Sequence, residues 1–381
     1  MSDTRSGNDR YDAIVVGVGG VGSATVYELA RRGLDVLGIE RYDVPHAMGS
    51  SHGSTRIIRK AQQEGPEYVP LVERAYERWR DLEERTGRDL LTVTGSVHAG
   101  APGTDVVANA REACAAHDVD YEDLSGDEVN ERFPGYDLPS DFEAVFQPEG
   151  GYLDCERCVS SHVEAAHAEG ATVRARERAI DWSETGDGVR VRTDEGRYEA
   201  DELVVTAGPW TAELLPEVAD DAVPVRALMA WLQPTEPELF SPDRFPVFVL
   251  RGQDGGGYGF PVHDVPGFKF GYSGDQREVV DPDRMDREPT AAEEELHRRF
   301  AEEFFPKGAG PTLALRTCIQ SYSSDEDFVL GRVPGYDSVT VGTGFTGHGF
   351  KFASATGEVL ADFATEGGTD LDVSAHSIDR L

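Results

Sequence analysis

Residues 11–40 constrain this chain more than any other stretch. A short apolar run, Tyr11-Asp12-Ala13-Ile14-Val15-Val16, leads straight into Gly17-Val18-Gly19-Gly20-Val21-Gly22. A helical pattern then continues to Arg32, and a second apolar run closes the unit at Glu40. Strand, glycine turn, helix, strand and acid each have a physical role when a dinucleotide binds. Gly17 permits the tight turn, Gly19 lets the backbone approach a pyrophosphate, and Gly22 lets helix and strand pack closely; Gly20 belongs to the same turn. The helix N-terminus offers free N–H groups and a positive dipole end to phosphate. Glu40 lies 18 residues beyond Gly22, close to the roughly 20 expected of the acid that holds a ribose hydroxyl. An isolated GxGxxG would also suit a plain glycine-rich turn in an α/β unit. The flanking strands and the acid favour a dinucleotide site.

Charge narrows the partners. The 71 acidic residues outnumber the 36 basic ones, for a net charge of −35. Such a field repels nucleic acid and anionic membrane surfaces. The acids are dispersed rather than gathered in a tail, and Lys60, Lys269, Lys307 and Lys351 are the only lysines. That pattern fits a halophilic surface from a very salty cytoplasm, where screening acts over about 3 Å at 1 M salt. No long apolar run is present and residues 1–10 are polar, so the expected protein is soluble and cytoplasmic, with no membrane partner. Lys269 in Gly-Phe-Lys-Phe-Gly-Tyr and Lys351 in Gly-His-Gly-Phe-Lys-Phe sit in apolar, glycine-rich surroundings. Buried cations need a reason.

The 4 cysteines do not form a metal set. Cys155 and Cys158 have CxxC spacing, but no second pair or histidine set completes a zinc site. They open a helical pattern behind Asp154, a suitable N-cap, and read as helix packing. No metal is expected.

A long polar loop spans residues 45–68, and loops of that length are usually functional. Residues 71–87 read as a helix with Leu71, Ala75, Trp79 and Leu82 on one face. Short strands and a helix follow over 88–149. Residues 153–208 give a helix, a strand over 171–180, a hairpin, and a buried strand ending at Ala207-Gly208, where a second close approach to a cofactor is feasible. A β-rich layer occupies 221–319. The tail supplies a strand, a glycine loop and a last helix. The simplest architecture is α/β (α+β): a discontinuous cofactor domain (1–85, 150–220 and 318–381) with an inserted antiparallel β-sheet substrate domain (86–149 and 221–317).

Four blocks in this order carry a resemblance over nearly the whole chain: residues 17–22, 49–59, 318–328 and 344–354. They resemble the FAD-dependent amine oxidases of the D-amino-acid-oxidase superfamily, in the branch of monomeric sarcosine oxidase and N-methyltryptophan oxidase. The resemblance implies a Rossmann-like FAD-binding domain and a monomer acting on a small amino acid and O2. It places FAD across the glycine turn, with Glu40 on the adenosine ribose and Arg41, Ser50, Thr55, Ala207 and Gly208 among the cofactor contacts. Cys318 stands where the family cysteine forms a thioether to the flavin. Gly344, Gly347 and Gly349, opening the last helix, would aim N–H groups at the pyrimidine end of the ring, beside Lys351.

Arg59 and Lys351 match the pair that holds the substrate carboxylate. A guanidinium fork and a point charge suit an amino acid and not a simple amine. Lys269 matches the lysine near flavin N5 where oxygen is reduced. Arg56 and His52 fall on the loop face that approaches the flavin, and Tyr258 matches an aromatic wall of the pocket. Three positions depart from close relatives: Gln62 and Gln320 replace tyrosines, and Ser273 replaces a histidine. These imply three pocket groups smaller or more polar than in sarcosine oxidase. The implied activity is oxidation of N-methyl or other secondary α-amino acids, giving an imine that hydrolyses to amine and aldehyde, plus hydrogen peroxide. A dehydrogenase passing electrons to a carrier and a non-catalytic flavoprotein subunit are the alternatives.

Overall fold

The strand Asp9–Val16 turns at Gly17 into the helix Gly20–Arg31, which delivers Val36–Ile39 parallel to the first strand. The turn is built from contacts that only glycine allows. Gly17 has φ +94°, and a Cβ there would lie 2.5 Å from the Thr206 carbonyl oxygen. A Cβ on Gly22 would lie 1.8 Å from the Gly17 oxygen. Gly19, by contrast, has nothing nearer than Ser51 Oγ at 3.8 Å and faces open space. The computed structural model describes residues 9–253, 255–273 and 277–381, without the side chains of Asp9 and Ser273; the expectation attached to Ser273 lies outside that description.

Five parallel strands form the middle of the first sheet, in the order Thr172–Arg174, Val36–Ile39, Asp9–Val16, Arg197–Val205 and Val339–Thr343. Val329–Arg332 adds an antiparallel edge, and the hairpin Ala179–Thr185/Gly188–Thr193 extends from the first half of Arg197–Val205. One face is covered by the helices Gly20–Arg31, Tyr68–Thr86, Cys155–Ala168 and Ala353–Glu366, around Trp79, Leu82, Val359 and Leu360. Leu71, Ala75, Trp79 and Leu82 are all buried, as their spacing requires. Arg74 and Arg78 both donate to Glu358, joining two of these helices. Burial alone would raise the pKa of Glu358, yet the two guanidiniums hold it at about 2.

Among the described residues the second sheet has nine strands. Its long antiparallel pair, Val223–Leu232 with Thr312–Tyr322, sets Ala227 opposite Cys318. Strands Ser96–Gly100, Glu122–Ser125 and Glu143–Gln147 join the same sheet. The helix Ala291–Phe304, started by a Thr290/Glu293 capping box, closes its phenylalanine-rich core. A small third sheet, Thr55–Ile58, Gly151–Asp154 and Leu91–Val93, lies between the two.

The run at 171–180 is not one strand. It breaks at Arg176, which has φ +60° and donates its N–H to the Tyr42 carbonyl. Before the break the chain pairs parallel with Val36–Ile39; after it the chain joins the hairpin at the opposite side of the sheet. A pattern of alternating residues cannot show that the partner changes. The last helix likewise begins later than expected, because a 3-10 turn, Gly349–Phe352, precedes it. Among the described residues no helix is long and apolar enough to cross a membrane.

Gly22→Ala should therefore cost about 1–3 kcal/mol, the usual penalty of overpacking. The urea midpoint of unfolding checks this, and an unchanged midpoint would contradict the packing described at the Gly17 carbonyl.

Candidate functional site

One cavity of about 990 Å³ collects most of the residues anticipated from the sequence. Gly17, Gly19, Gly20, Glu40, Arg41, Ala207 and Gly208 line it on the first sheet. Ser50, Arg56, Arg59, Tyr258, Cys318, Gly347, Gly349 and Lys351 line it further along. Gly22, His52, Thr55, Lys269 and Gly344 stand behind this wall rather than on it.

At the glycine end Glu40 is nearly buried and held from several sides. Its Oε2 accepts from the Val18 N–H at 2.9 Å and its Oε1 from the Tyr42 N–H at 2.9 Å, with His46 Nε2 at 3.4 Å. Burial would raise its pKa, but His46 and the two amides outweigh that and keep it ionised. Helix Gly20–Arg31 begins without a side-chain cap, its first residues facing the cavity. An uncapped helix start, glycines packed on backbone, and an ionised acid at the next strand end together fit a dinucleotide.

The loop over 49–58 is pinned from two sides. Glu156 accepts from the Gly53 N–H at 2.7 Å and from the Ser54 N–H at 3.0 Å. Lys269 Nζ donates to the Thr55 carbonyl at 2.7 Å and to Thr55 Oγ1 at 3.0 Å, over the Phe260 ring at 4.3 Å. Lys269 thus stands behind the cavity wall, against Thr55 and the lining residue Phe260. Burial, then the nearby Arg56, push its pKa well below the lysine value. Arg56 donates to the Thr55 and Ser50 carbonyls at 2.8 and 2.5 Å, and its Nη2 lies 3.9 Å from Cys318 Sγ. Burial raises the Cys318 thiol while Arg56 and Lys269 pull it down. His52 is driven to about 3 by burial and by Arg56, so it stays neutral, with Nε2 buried and unpartnered. Ser50 Oγ donates to the Ile319 carbonyl at 2.5 Å, tying this loop to the Cys318 strand.

Arg59 and Lys351 are each 3% exposed and share one internal carboxylate, Glu64. Arg59 Nη2 donates to both Glu64 oxygens at 2.8 and 3.1 Å, and Lys351 Nζ is 3.9 Å from Oε1. Lys351 also donates to the His348 carbonyl at 3.0 Å. Burial would raise Glu64, but Arg59 and Lys351 hold it well below the usual carboxylate range. Burial pushes Lys351 down to about 7, with Glu64 opposing. The arrangement is two buried cations closed on a carboxylate of their own chain.

Gln62 corrects an expectation. It does not face the cavity: it is fully buried, and its amide bonds both Arg59 Nη1 and the Arg59 carbonyl, bracing the guanidinium. Gln320 does line the cavity and accepts from the Tyr322 hydroxyl at 3.3 Å. Tyr322, two residues on along the same strand face, brings a phenol to the cavity that sequence reasoning missed; the period of two could have found it. Glu64 was missed as well, although an acid five residues after a conspicuous arginine was a usable clue. Tyr258 lies in the wall, its hydroxyl pushed up to about 12 by burial.

Cys155 and Cys158 are free, buried thiols on one helix, with Asp154 as N-cap. Among the described residues, metal-ligating groups converge at Asp154, His263 and Asp264, where His263 Nε2 lies 3.5 and 3.4 Å from the two carboxylates. That cluster is outside the cavity lining.

Comparison with known proteins agrees with this geometry. Residues 12–363 match the family described as FAD dependent oxidoreductase (DAO). Monomeric sarcosine oxidase of Bacillus sp. (strain B-0618) is 38% identical over 375 residues, covering 97% of this chain and 96% of that enzyme. N-methyl-L-tryptophan oxidase of Yersinia pestis (strain Pestoides F) is 36% identical over 384 residues, covering 97% and 99%. Among solved structures, NikD, an unusual amino acid oxidase essential for nikkomycin biosynthesis, superposes with a TM-score of 0.85 at 27% identity, covering 97% of each chain.

If Glu64 competes for the cation pair, Glu64→Gln should tighten acetate binding about tenfold, the scale of one charge-assisted hydrogen bond. Titration calorimetry reads this directly, and an unaltered affinity would show that Glu64 does not occupy the receptor.

Proposed function

The chain belongs to the FAD dependent oxidoreductase family, and on that premise we propose that it oxidises N-methyl or other secondary α-amino acids with O2 as electron acceptor. The observation that carries this reading is the buried Arg59–Glu64–Lys351 group, a receptor for one carboxylate set in the same cavity as the glycine turn. The named activities of the sarcosine and N-methyltryptophan oxidases, both similar over nearly the full chain, support it.

When bound, FAD supplies the acceptor for hydride from the carbon beside the substrate nitrogen and passes the electrons on to O2 as peroxide. The protein's part is to hold, orient and desolvate. The turn at residues 17–22 and Glu40 hold the dinucleotide arm, with Arg41, Ala207 and Gly208 alongside. The glycine loop at 344–349 presents to the ring end the 3-10 turn Gly349–Phe352 that leads into the helix Ala353–Glu366; its N-cap, His348, makes no side-chain cap. Substrate carboxylate takes the place of Glu64 between Arg59 and Lys351, which points the nitrogen toward Arg56, Tyr258 and Cys318. The buried cations Arg56, Arg59 and Lys351 lower the pKa of an incoming ammonium, so the nitrogen lone pair needed for oxidation becomes available. Burial presses the pKa of Lys269 down, and negative charge developing nearby raises it again and favours its protonated form.

In this reading residues 1–85, 150–220 and 318–381 form the cofactor unit and 86–149 with 221–317 the substrate unit. The protein works as a monomer in a salty cytoplasm, which its dispersed acidic surface suits.

The test is peroxide release from flavin-loaded protein given sarcosine, N-methyl amino acids, proline and pipecolate. Release from at least one is expected, and none from any would overturn the reading. For the responding substrate, kcat/KM should fall as pH rises through about 7, because only protonated Lys351 attracts the carboxylate. Lys351→Met should lack that limb.

Cys318 is read as a thioether attachment, supported by its place in the cavity wall with two neighbouring groups that favour the thiolate. Acid-denatured protein should keep flavin colour on the polypeptide, and Cys318→Ser should release it. Colour lost from the unsubstituted protein would exclude the linkage.

A further inference from the structure

Asp283 gathers donors from three separate places at the Glu40 end of the cavity. Arg41 forks onto it, Nη1 to Oδ1 at 2.7 Å and Nη2 to Oδ2 at 3.1 Å. Trp210 Nε1 donates to the same Oδ1 at 2.7 Å, and Arg178 Nη2 lies 3.8 Å from Oδ2. Arg41, Trp210 and Arg178 all line the cavity, whereas Asp283 arrives from the other side, on the segment that follows the second-sheet strand Glu278–Val279. The Arg41 guanidinium also lies over the rings of Tyr42 and Trp210, at 5.3 and 5.6 Å from their centroids, and the two rings meet each other at 5.7 Å. A cationic and aromatic cluster of this kind suits a planar base.

Further along the same segment a second anchor holds it down. Arg287 Nη2 donates to the Met48 carbonyl at 2.8 Å, and Thr317 Oγ1 donates to the Arg287 carbonyl at 3.1 Å. Residues 281–287 therefore strap the second sheet to the turn that follows Glu40. An isolated exposed ion pair is worth little. Here the carboxylate is about two-thirds buried, and its contact with Arg41 is bidentate and extended by an indole N–H.

We propose that Asp283 is a positioning residue that latches segment 281–287 over the adenosine end of the cavity, so that the adenosine arm of FAD enters and leaves only when its contacts to Arg41 and Trp210 open. The proposal rests on the family's FAD lying in this cavity, and it adds a residue 243 positions beyond Glu40 to the cofactor site.

The experiment uses the flavin-loaded holo-protein, freed of loose flavin by gel filtration. It is incubated with a phosphodiesterase that hydrolyses the FAD pyrophosphate to AMP and the flavin mononucleotide part. AMP appearing in the filtrate measures access to the adenosine arm. Asp283→Ala should speed its appearance about tenfold, the scale of one lost charge-assisted hydrogen bond. Asp283→Glu should restore the slow rate, and Asp283→Asn replaces the alanine variant if that one fails to fold. Glu143→Gln, which removes an exposed pair with Arg111 on a remote strand, should match the unsubstituted protein. Equal rates for Asp283→Ala and the unsubstituted protein would sink the latch, as would an equal rise in Glu143→Gln. Protein that carries no flavin before the incubation would instead overturn the premise.

Discussion

Positive charge buried along one wall is the constraint around which the rest of this molecule is arranged. Arg59, Lys269 and Lys351 are at most 3% exposed, and Arg56 lies partly buried beside them. An unpaired buried cation is costly, so each needs acceptors close by. The chain supplies them mostly from its own backbone: the Thr55 carbonyl for Lys269, Thr55 and Ser50 for Arg56, His348 for Lys351 and Ala61 for Arg59. Glu64 is the one carboxylate drawn fully into the group.

The two large sheets make this possible by meeting at the loop over 49–65. That loop leaves the dinucleotide turn through Ser51, which accepts from the Gly20 N–H at 3.1 Å. It then lies against the second sheet through Lys269 and against the long strand Thr312–Tyr322 through Ser50. The loop is fixed by hydrogen bonds to both sheets, and its left-handed Ser54, φ +69°, is held by Glu156. A rigid loop between two sheets positions cations more closely than a surface loop could. The acidic surface and this interior are separate matters: one concerns solvation over the whole outside, the other a few desolvated contacts.

Much of the cofactor end was legible in the residues. A glycine turn with an acid at the next strand end is a local pattern, and every part of it lies within residues 11–40, so no long-range contact had to be guessed. The burial of Lys269 and Lys351 was legible too, because lysine is scarce here and both stand among phenylalanines and glycines. The substrate end was harder. Gln62 occupies the place of a pocket residue in the resembling family, yet it turns back onto Arg59, since an amide can satisfy a guanidinium and a carbonyl where a phenol would project outward. Tyr322 lies two residues beyond Gln320 and meets it on the same strand face.

The sequence by itself determined the βαβ turn, the family, the acidic surface and the residue types that a carboxylate receptor needs, because these depend on local spacing and composition. Only the tertiary structure decided which groups face the cavity and which stand behind it. It set Lys269 behind Thr55, closed Arg59 and Lys351 on Glu64, and brought Asp283 to Arg41. Those pairings depend on sheet register and on the path of the chain between sheets, which no local pattern encodes. A one-residue change in the alignment of Val223–Leu232 with Thr312–Tyr322 would turn Cys318 and Gln320 away from the cavity without altering a single motif.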